Sequence, residues 1–278
     1  MQRIRRQRGE TLMVATLTTV TVDGQVLNTD RIGNTGHPIL VLHGWGQSIE
    51  GMRPLGELLG KTAQVHLIDL PGFGRSPRPA ADWDAIGYAE CIHKYMVQNG
   101  IEKADVLGHS FGGKVATRLT SRYPERVRGL MLVDASGLKR KLEGKKKLRA
   151  DALRSLNKLL KWSDKTFKTN YFEGWFVPKF GSRDYKNAGE LRNILVKTVN
   201  EDTSEDAKKI KNPTFILWGE LDTETPVEMA NRFNELIAGS KLVVLPKKDH
   251  FPYLGDGVHL CARYILDFLK SLDERGEA

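Results

Sequence analysis

Cysteine is scarce: Cys91 and Cys261 are the only two among 278 residues. Two thiols cannot make a disulfide framework or, by themselves, a structural zinc site, and they point to a reducing, cytoplasmic setting. Long apolar runs are missing as well. Mean hydropathy is −0.39, and no uninterrupted apolar stretch approaches the ~18 residues of a bilayer span, so no transmembrane segment is expected. Arg3, Arg5, Arg6 and Arg8 ahead of TLMVATLTTV superficially resemble an export signal. That stretch carries Thr11, Thr16, Thr18 and Thr19 and lacks an A-x-A-like cleavage site, so it reads as a strand. With 28% charged residues and apolar segments recurring throughout, wholesale disorder is excluded. A chain of this length buries about three quarters of its unfolded surface, enough for one large α/β domain.

What is present is alternation. Asp23-Gly24, flanked by Val20, Val22, Val26 and Leu27, signals a tight hairpin. Then PILVLH (38–43), VHLID (65–69), ADVLGH (104–109), LMLVD (130–134), TFILWG (214–219) and KLVVL (241–245) read as strands buried on both faces. Helix-spaced apolar positions fill 82–99, 111–123, 226–238 and 257–272. The pattern predicts an α/β fold with a mostly parallel eight-stranded sheet, helices on both faces and an antiparallel hairpin in front. Nearly eighty residues between Asp134 and Pro213 lack a convincing core strand. They predict an inserted helical cap at 136–210, with the core at 1–135 and 211–278.

The chemistry concentrates at strand ends. Gly108-x-Ser110-x-Gly112 lies between a strand and a helix, where a tight turn lifts a hydroxyl beyond the carboxyl edge of the sheet. Ser110 is the candidate nucleophile, and the N–H of Phe111, which opens the helix, points to where an oxyanion would form. A hydroxyl needs a base, and the base needs an orienting acid. Asp222, at the end of FILWGELD (215–222), and His250, in LPKKDHF (245–251), occupy loops beyond consecutive strands, where open sheets collect functional residues. Asp134 also ends a central strand and stays open as an alternative acid. His109 is expected to point away from Ser110. HGWG (43–46) can turn at Gly44 so that the N–H of Trp45 converges with that of Phe111, although His-Gly after a strand is also an ordinary turn. Neither a clustered His/Cys/carboxylate set nor a phosphate-binding glycine fingerprint is evident, so no metal and no organic cofactor is expected.

HGWG (43–46), DLPGFGRS (69–76), GHSFGG (108–113), WGELD (218–222) and DHF (249–251) together resemble the α/β-hydrolase superfamily, in its lidded serine-esterase-like branch. The resemblance covers 36–135 and 210–270. It implies the α/β-hydrolase fold, with Ser110 as nucleophile, His250 as base, Asp222 as acid and the N–H groups of Trp45 and Phe111 as oxyanion hole. DLPGFGRS is expected to be scaffold. HGWG and DLPGFGRS are also similar to the esterases that cleave pimeloyl-carrier-protein methyl ester. Serine at 110 argues against haloalkane dehalogenases and epoxide hydrolases, which carry aspartate there. The implied activity is hydrolysis of a small-molecule carboxylic ester or thioester through an acyl-enzyme. Two alternatives stay open: a C–C bond hydrolase of dienone acids, and a slow-turnover ligand sensor that keeps the triad.

The insert has its own composition. Leu148, Leu153, Leu156, Leu159 and Leu160 recur at helical spacing beside a stripe of Arg154, Lys158, Lys161 and Lys165, which predicts a basic amphipathic helix. Aromatic residues crowd the stretch after it. Trp162, Phe172 and Trp175, with His43 and Phe251, are the expected pocket residues, against the alternative that they simply pack the insert. The window 136–170 holds twelve Lys and Arg against three Asp and Glu, the whole of the chain's +9. It could be a solvated face, a surface that steers an acidic carrier protein, or one that docks on an anionic membrane. Nucleic acid is not an expected partner, because these residues belong to the region covering a small-molecule cleft.

Overall fold

In the computed structural model, which describes residues 16–140 and 144–276, the apolar runs become one eight-stranded sheet. β1 (Thr16–Val22) and β2 (Gln25–Ile32) form an antiparallel hairpin whose turn residues Asp23 and Gly24 have φ of 47° and 79°, as a tight turn demands. Then come β3 (Pro38–Leu42), β4 (Gln64–Ile68), β5 (Ala104–His109), β6 (Val127–Val133), β7 (Thr214–Gly219) and β8 (Lys241–Leu245). Their order is β1-β2-β4-β3-β5-β6-β7-β8; β2 meets β4 antiparallel, and every later pair is parallel. The arginine cluster at 3–8 and the first residues of TLMVATLTTV lie outside the described residues.

Alternation along the central strands builds two cores. Leu40 and Leu42 leave the sheet toward α2 (Ala85–Gln98), α3 (Phe111–Arg122) and α9 (Val227–Leu236). Ile39 and Val41 leave it toward α1 (Ile49–Leu59) and α10 (Val258–Glu274). With both faces covered, a strand has no solvent side to mark with polar residues, which is why these runs read as continuously apolar. The sequence pattern missed α1. Its IEGMRPLGELL holds Pro54, Gly51 and Gly56, all poor helix formers, but burial of Ile49, Met52, Leu55 and Leu59 at three-to-four spacing overrides local propensity. Strand β6 also begins three residues before the expected run.

Between β6 and β7 the described residues are helical: α4 (Gly144–Phe167), a π-helical turn (Phe172–Phe176), α5 (Val177–Phe180), α6 (Arg183–Asn187), α7 (Arg192–Asn200) and α8 (Ser204–Lys209). Ile194, Ala207 and Ile210 join the larger core. Phe172, Phe176 and Val177 instead form a small cluster against Leu153, Leu156 and Leu160 of α4. The leucine stripe expected on this helix therefore splits, since Leu148 and Leu159 face outward. Among the described residues, no helix is long and apolar enough to cross a membrane.

One buried ion pair ties β5 to β6. Arg128 grips Asp105 with two parallel bonds, Nε to Oδ1 at 3.0 Å and Nη2 to Oδ2 at 2.6 Å. Both side chains are buried, and the remaining partner of the guanidinium, Asp273 on Nη1, is largely exposed, so removing the Asp105 carboxylate leaves Nε and Nη2 unsatisfied in the interior. Asp105→Ala is expected to cost about 3–5 kcal/mol, read as a lower urea midpoint.

Candidate active site

Loops at the carboxyl ends of β3, β5, β6, β7 and β8 converge on Ser110. This residue sits between β5 and α3 with φ 49° and ψ −113°, a conformation that an L-residue adopts only under constraint. The glycines permit that turn by close approach. A Cβ at Gly112 would come within 2.1 Å of the Leu42 carbonyl oxygen, and one at Gly108 within 2.4 Å of the Gly112 carbonyl oxygen. Gly44 plays the same part on the facing loop, where a Cβ would lie 2.9 Å from His109 Nδ1 and 3.2 Å from Ser110 Cβ.

His250 and Asp222 come to this serine from the two strands at the far edge. His250 Nε2 lies 3.0 Å from Ser110 Oγ, and His250 Nδ1 lies 2.8 Å from Asp222 Oδ2. The carboxylate fixes Nδ1 as a donor and leaves the Nε2 lone pair facing the hydroxyl. Asp222 is held in turn by its own loop: Oδ1 accepts the N–H groups of Glu224 at 2.8 Å and Thr225 at 2.9 Å, and Thr225 Oγ1 lies 2.6 Å from Oδ2. Burial opposes charge on Asp222, but the hydrogen bonds from His250 and Thr225 outweigh it and keep the carboxyl below its ordinary value.

Asp134 is close by but differently placed. Oδ1 accepts the Gly219 N–H at 2.8 Å, while Oδ2 has no hydrogen-bond partner among the described residues. Burial, reinforced by the charge of Asp222, pushes this carboxyl up to about 9, so it holds its proton at neutral pH. His109, expected to point away from Ser110, is buried behind the site. Its Nε2–H donates to the His250 carbonyl oxygen at 2.8 Å, so Nδ1 accepts the Tyr253 hydroxyl at 3.1 Å. Burial first, and His250 second, lowers its value to about 3, keeping the ring neutral. The N–H groups of Trp45 and Phe111 find no acceptor among the described residues, and the two rings meet edge-on at 5.5 Å.

Two cavities open on Ser110. The larger, about 830 Å³, runs past Phe111, Lys114, Leu138, Arg154 and Met229. The smaller, about 620 Å³, is bounded by Gly44, Phe73, Leu191, His250 and Phe251. Trp45, Arg183 and Asp184 line both. Four expected pocket residues lie elsewhere. His43 is buried as a brace between loops, accepting the Leu70 N–H on Nε2 at 2.9 Å and donating from Nδ1 to the Gly44 carbonyl oxygen at 2.8 Å. Phe172 is sealed in the insert's own cluster, and Trp162 and Trp175 face outward. Helical spacing alone could not tell the inward side of α4 from the outward one. Phe251 does line the cleft.

Asp134, Asp222 and His250 bring ligand atoms within 4.8 Å of one another, a cluster invisible in sequence spacing. Both imidazole nitrogens and both Asp222 oxygens are already engaged in the bonds above. The trio thus suits proton handling better than cation binding.

A model of the α/β-hydrolase fold family matches residues 37–256. The chain belongs to that family. Lipase 3 of Moraxella sp. (strain TA144) is 28% identical over 239 residues, which cover 78% of this chain and 73% of the lipase. An esterase from Exiguobacterium antarcticum is 26% identical, with a TM-score of 0.70 over 92% of this chain and all of its own. A meta-cleavage product hydrolase from Pseudomonas fluorescens IP01, 22% identical, has a TM-score of 0.68 over 91% of this chain and 97% of its own, a likeness of fold. Together these relatives support a hydrolase of the α/β type.

In this α/β-hydrolase the DLPGFGRS segment, expected to be scaffold, divides: Gly72, Phe73 and Gly74 line the smaller cavity, while Asp69 braces the fold. Asp69 Oδ1 accepts the Ile49 N–H at 2.7 Å, and Oδ2 accepts Asn28 Nδ2 at 2.7 Å and the Arg75 N–H at 2.9 Å, stitching three segments together. Thr225 escaped the sequence reading, although an aspartate three residues before a threonine in a loop is the signature of a side chain folding back on its own backbone. Glu224 escaped it too; its carboxylate stands 3.4 Å from His250 Nε2. Only the fold brings that pair together.

Proposed function

We propose that this hydrolase cleaves carboxylic esters, thioesters included, through an acyl-enzyme on Ser110. The observation that carries the reading is the unbroken chain from Ser110 Oγ to His250 Nε2 at 3.0 Å and from His250 Nδ1 to Asp222 Oδ2 at 2.8 Å. As Oγ attacks the carbonyl carbon, Nε2 takes its proton, and the N–H groups of Trp45 and Phe111 receive the negative oxygen of the tetrahedral intermediate. His250 then gives that proton to the departing alcohol or thiol. Water attacks the acyl-enzyme by the same relay, releasing the acid and restoring the serine. Asp222 holds the imidazole in the tautomer this requires and steadies the imidazolium. The insert at 136–210 acts as a cap, and the two cavities it helps to line receive the two halves of the ester. Lipase 3 and the Exiguobacterium esterase support ester as the bond type.

A fluorophosphonate probe is expected to label the peptide containing Ser110, and short p-nitrophenyl esters are expected to turn over repeatedly at ~1 s⁻¹ or faster. Turnover of a dienone acid without any ester would replace this activity with C–C bond cleavage. A single turnover followed by arrest would make the protein a ligand sensor.

A further inference from the structure

We infer that the outer face of α4, with the aromatic segment that follows it, is a docking surface for anionic lipid. The described residues expose four large aromatic side chains, Trp162, Phe167, Tyr171 and Trp175, and all four lie in this one segment. Leu148 is 71% exposed, Leu159 57% and Trp162 58%, although leucine and tryptophan ordinarily seek cover.

The 3.6-residue period sorts α4 into three stripes. Leu153, Leu156 and Leu160 pack inward on the insert's small core. Leu148, Ala152, Ser155, Leu159, Trp162 and Thr166 succeed one another at four-and-three spacing as a second stripe, and all are exposed. Lys147, Arg154, Lys158, Lys161 and Lys165 form a third stripe beside it. Arg154 pairs with Asp151 at 3.0 Å, and Lys161 lies over the Phe172 ring at 4.5 Å. Lys147, Lys158 and Lys165 have no acidic partner among the described residues.

An exposed apolar stripe alongside lysines whose long stems reach past it is what a helix lying in a lipid headgroup layer needs. Its leucine and aromatic groups enter the acyl boundary while the ammonium groups stay among phosphates. An acidic protein would be drawn by the lysines equally well, but covering outward Leu148, Leu159 and Trp162 would demand a matching apolar patch set among its acids, whereas a lipid surface supplies anionic headgroups and acyl chains side by side, so it fits more of the observations. Arg154, which lines the larger cavity, belongs to the same helix, so a docked face brings the cleft toward the lipid. The contact does not depend on the ester reading; that the substrate arrives from the lipid phase does.

The test separates the two. Ser110→Ala protein, which cannot form an acyl-enzyme, is floated with phosphatidylcholine vesicles with and without phosphatidylglycerol. Expected is recruitment only by the phosphatidylglycerol vesicles, weakening as salt rises. Changing Lys147, Lys158 and Lys165 together to Gln should lower partitioning roughly fivefold per lysine, about a hundredfold in all. Leu159→Ser with Trp162→Ser should lower it at least about tenfold. In the Ser110 background both sets should leave turnover of a short water-soluble ester unchanged. Protein that ignores the anionic vesicles, or variants that bind them as well as the parent, overturns the inference. Capture by an acidic carrier protein without vesicle binding overturns it in favour of a protein partner.

Discussion

Replacing Ser110 by alanine is expected to cut kcat/KM on a short ester by about a million-fold while leaving the unfolding midpoint nearly unchanged. On the proposed mechanism the attacking atom is lost, and with it the acyl-enzyme; only binding and the N–H groups of Trp45 and Phe111 remain to assist water. Stability is spared for two reasons. His250 keeps its Nδ1–H bond to Asp222 at 2.8 Å, and its ring lines the smaller cavity rather than the closed core, so losing the hydroxyl strands no group inside the protein. Alanine and serine also bear the same backbone strain at φ 49°. Steady-state kinetics and loss of fluorophosphonate labelling check the result. A variant that keeps activity within tenfold would place the nucleophile elsewhere.

The second large effect concerns the two buried aspartates. Asp222→Asn is expected to lower kcat about ten-thousand-fold, because an amide can present its NH₂ to Nδ1 and turn the imidazole into the wrong tautomer. Asp134→Asn should stay within about tenfold of the parent near neutral pH, since a carboxyl raised to about 9 is already neutral there and an amide nearly matches its shape. The sign of the stability effect follows from linkage. A carboxyl whose folded value of about 9 lies above its ordinary 3.8 favours folding fully only below 3.8, and that support drains away as pH climbs to 9. Asp134→Asn should therefore gain on the parent in urea midpoint across that window. If Asp134→Asn were the more damaging change to turnover, the acid would be Asp134.

The strand ends were legible because they are local. Short apolar runs, most of them closed by Gly, His or Asp, mark where parallel strands stop; Ser110 follows β5 directly, Asp222 stands three residues beyond β7 and His250 five beyond β8. What escaped depends on the third dimension. Helix α1 owes its existence to four buried side chains rather than to its proline and glycines. His109 matters through a carbonyl 141 positions away. Trp162 and Trp175 share a composition with pocket residues and differ only in which way their segment is turned.

The left-handed backbone at Ser110 has a consequence for how this protein can be improved. Conformations of this kind cost on the order of 1–3 kcal/mol, so a glycine there would make a hardier molecule with no hydroxyl to offer. Libraries sorted for heat tolerance alone would enrich such dead survivors. Durable yet working variants have to be sought far from the elbow, with turnover scored alongside melting.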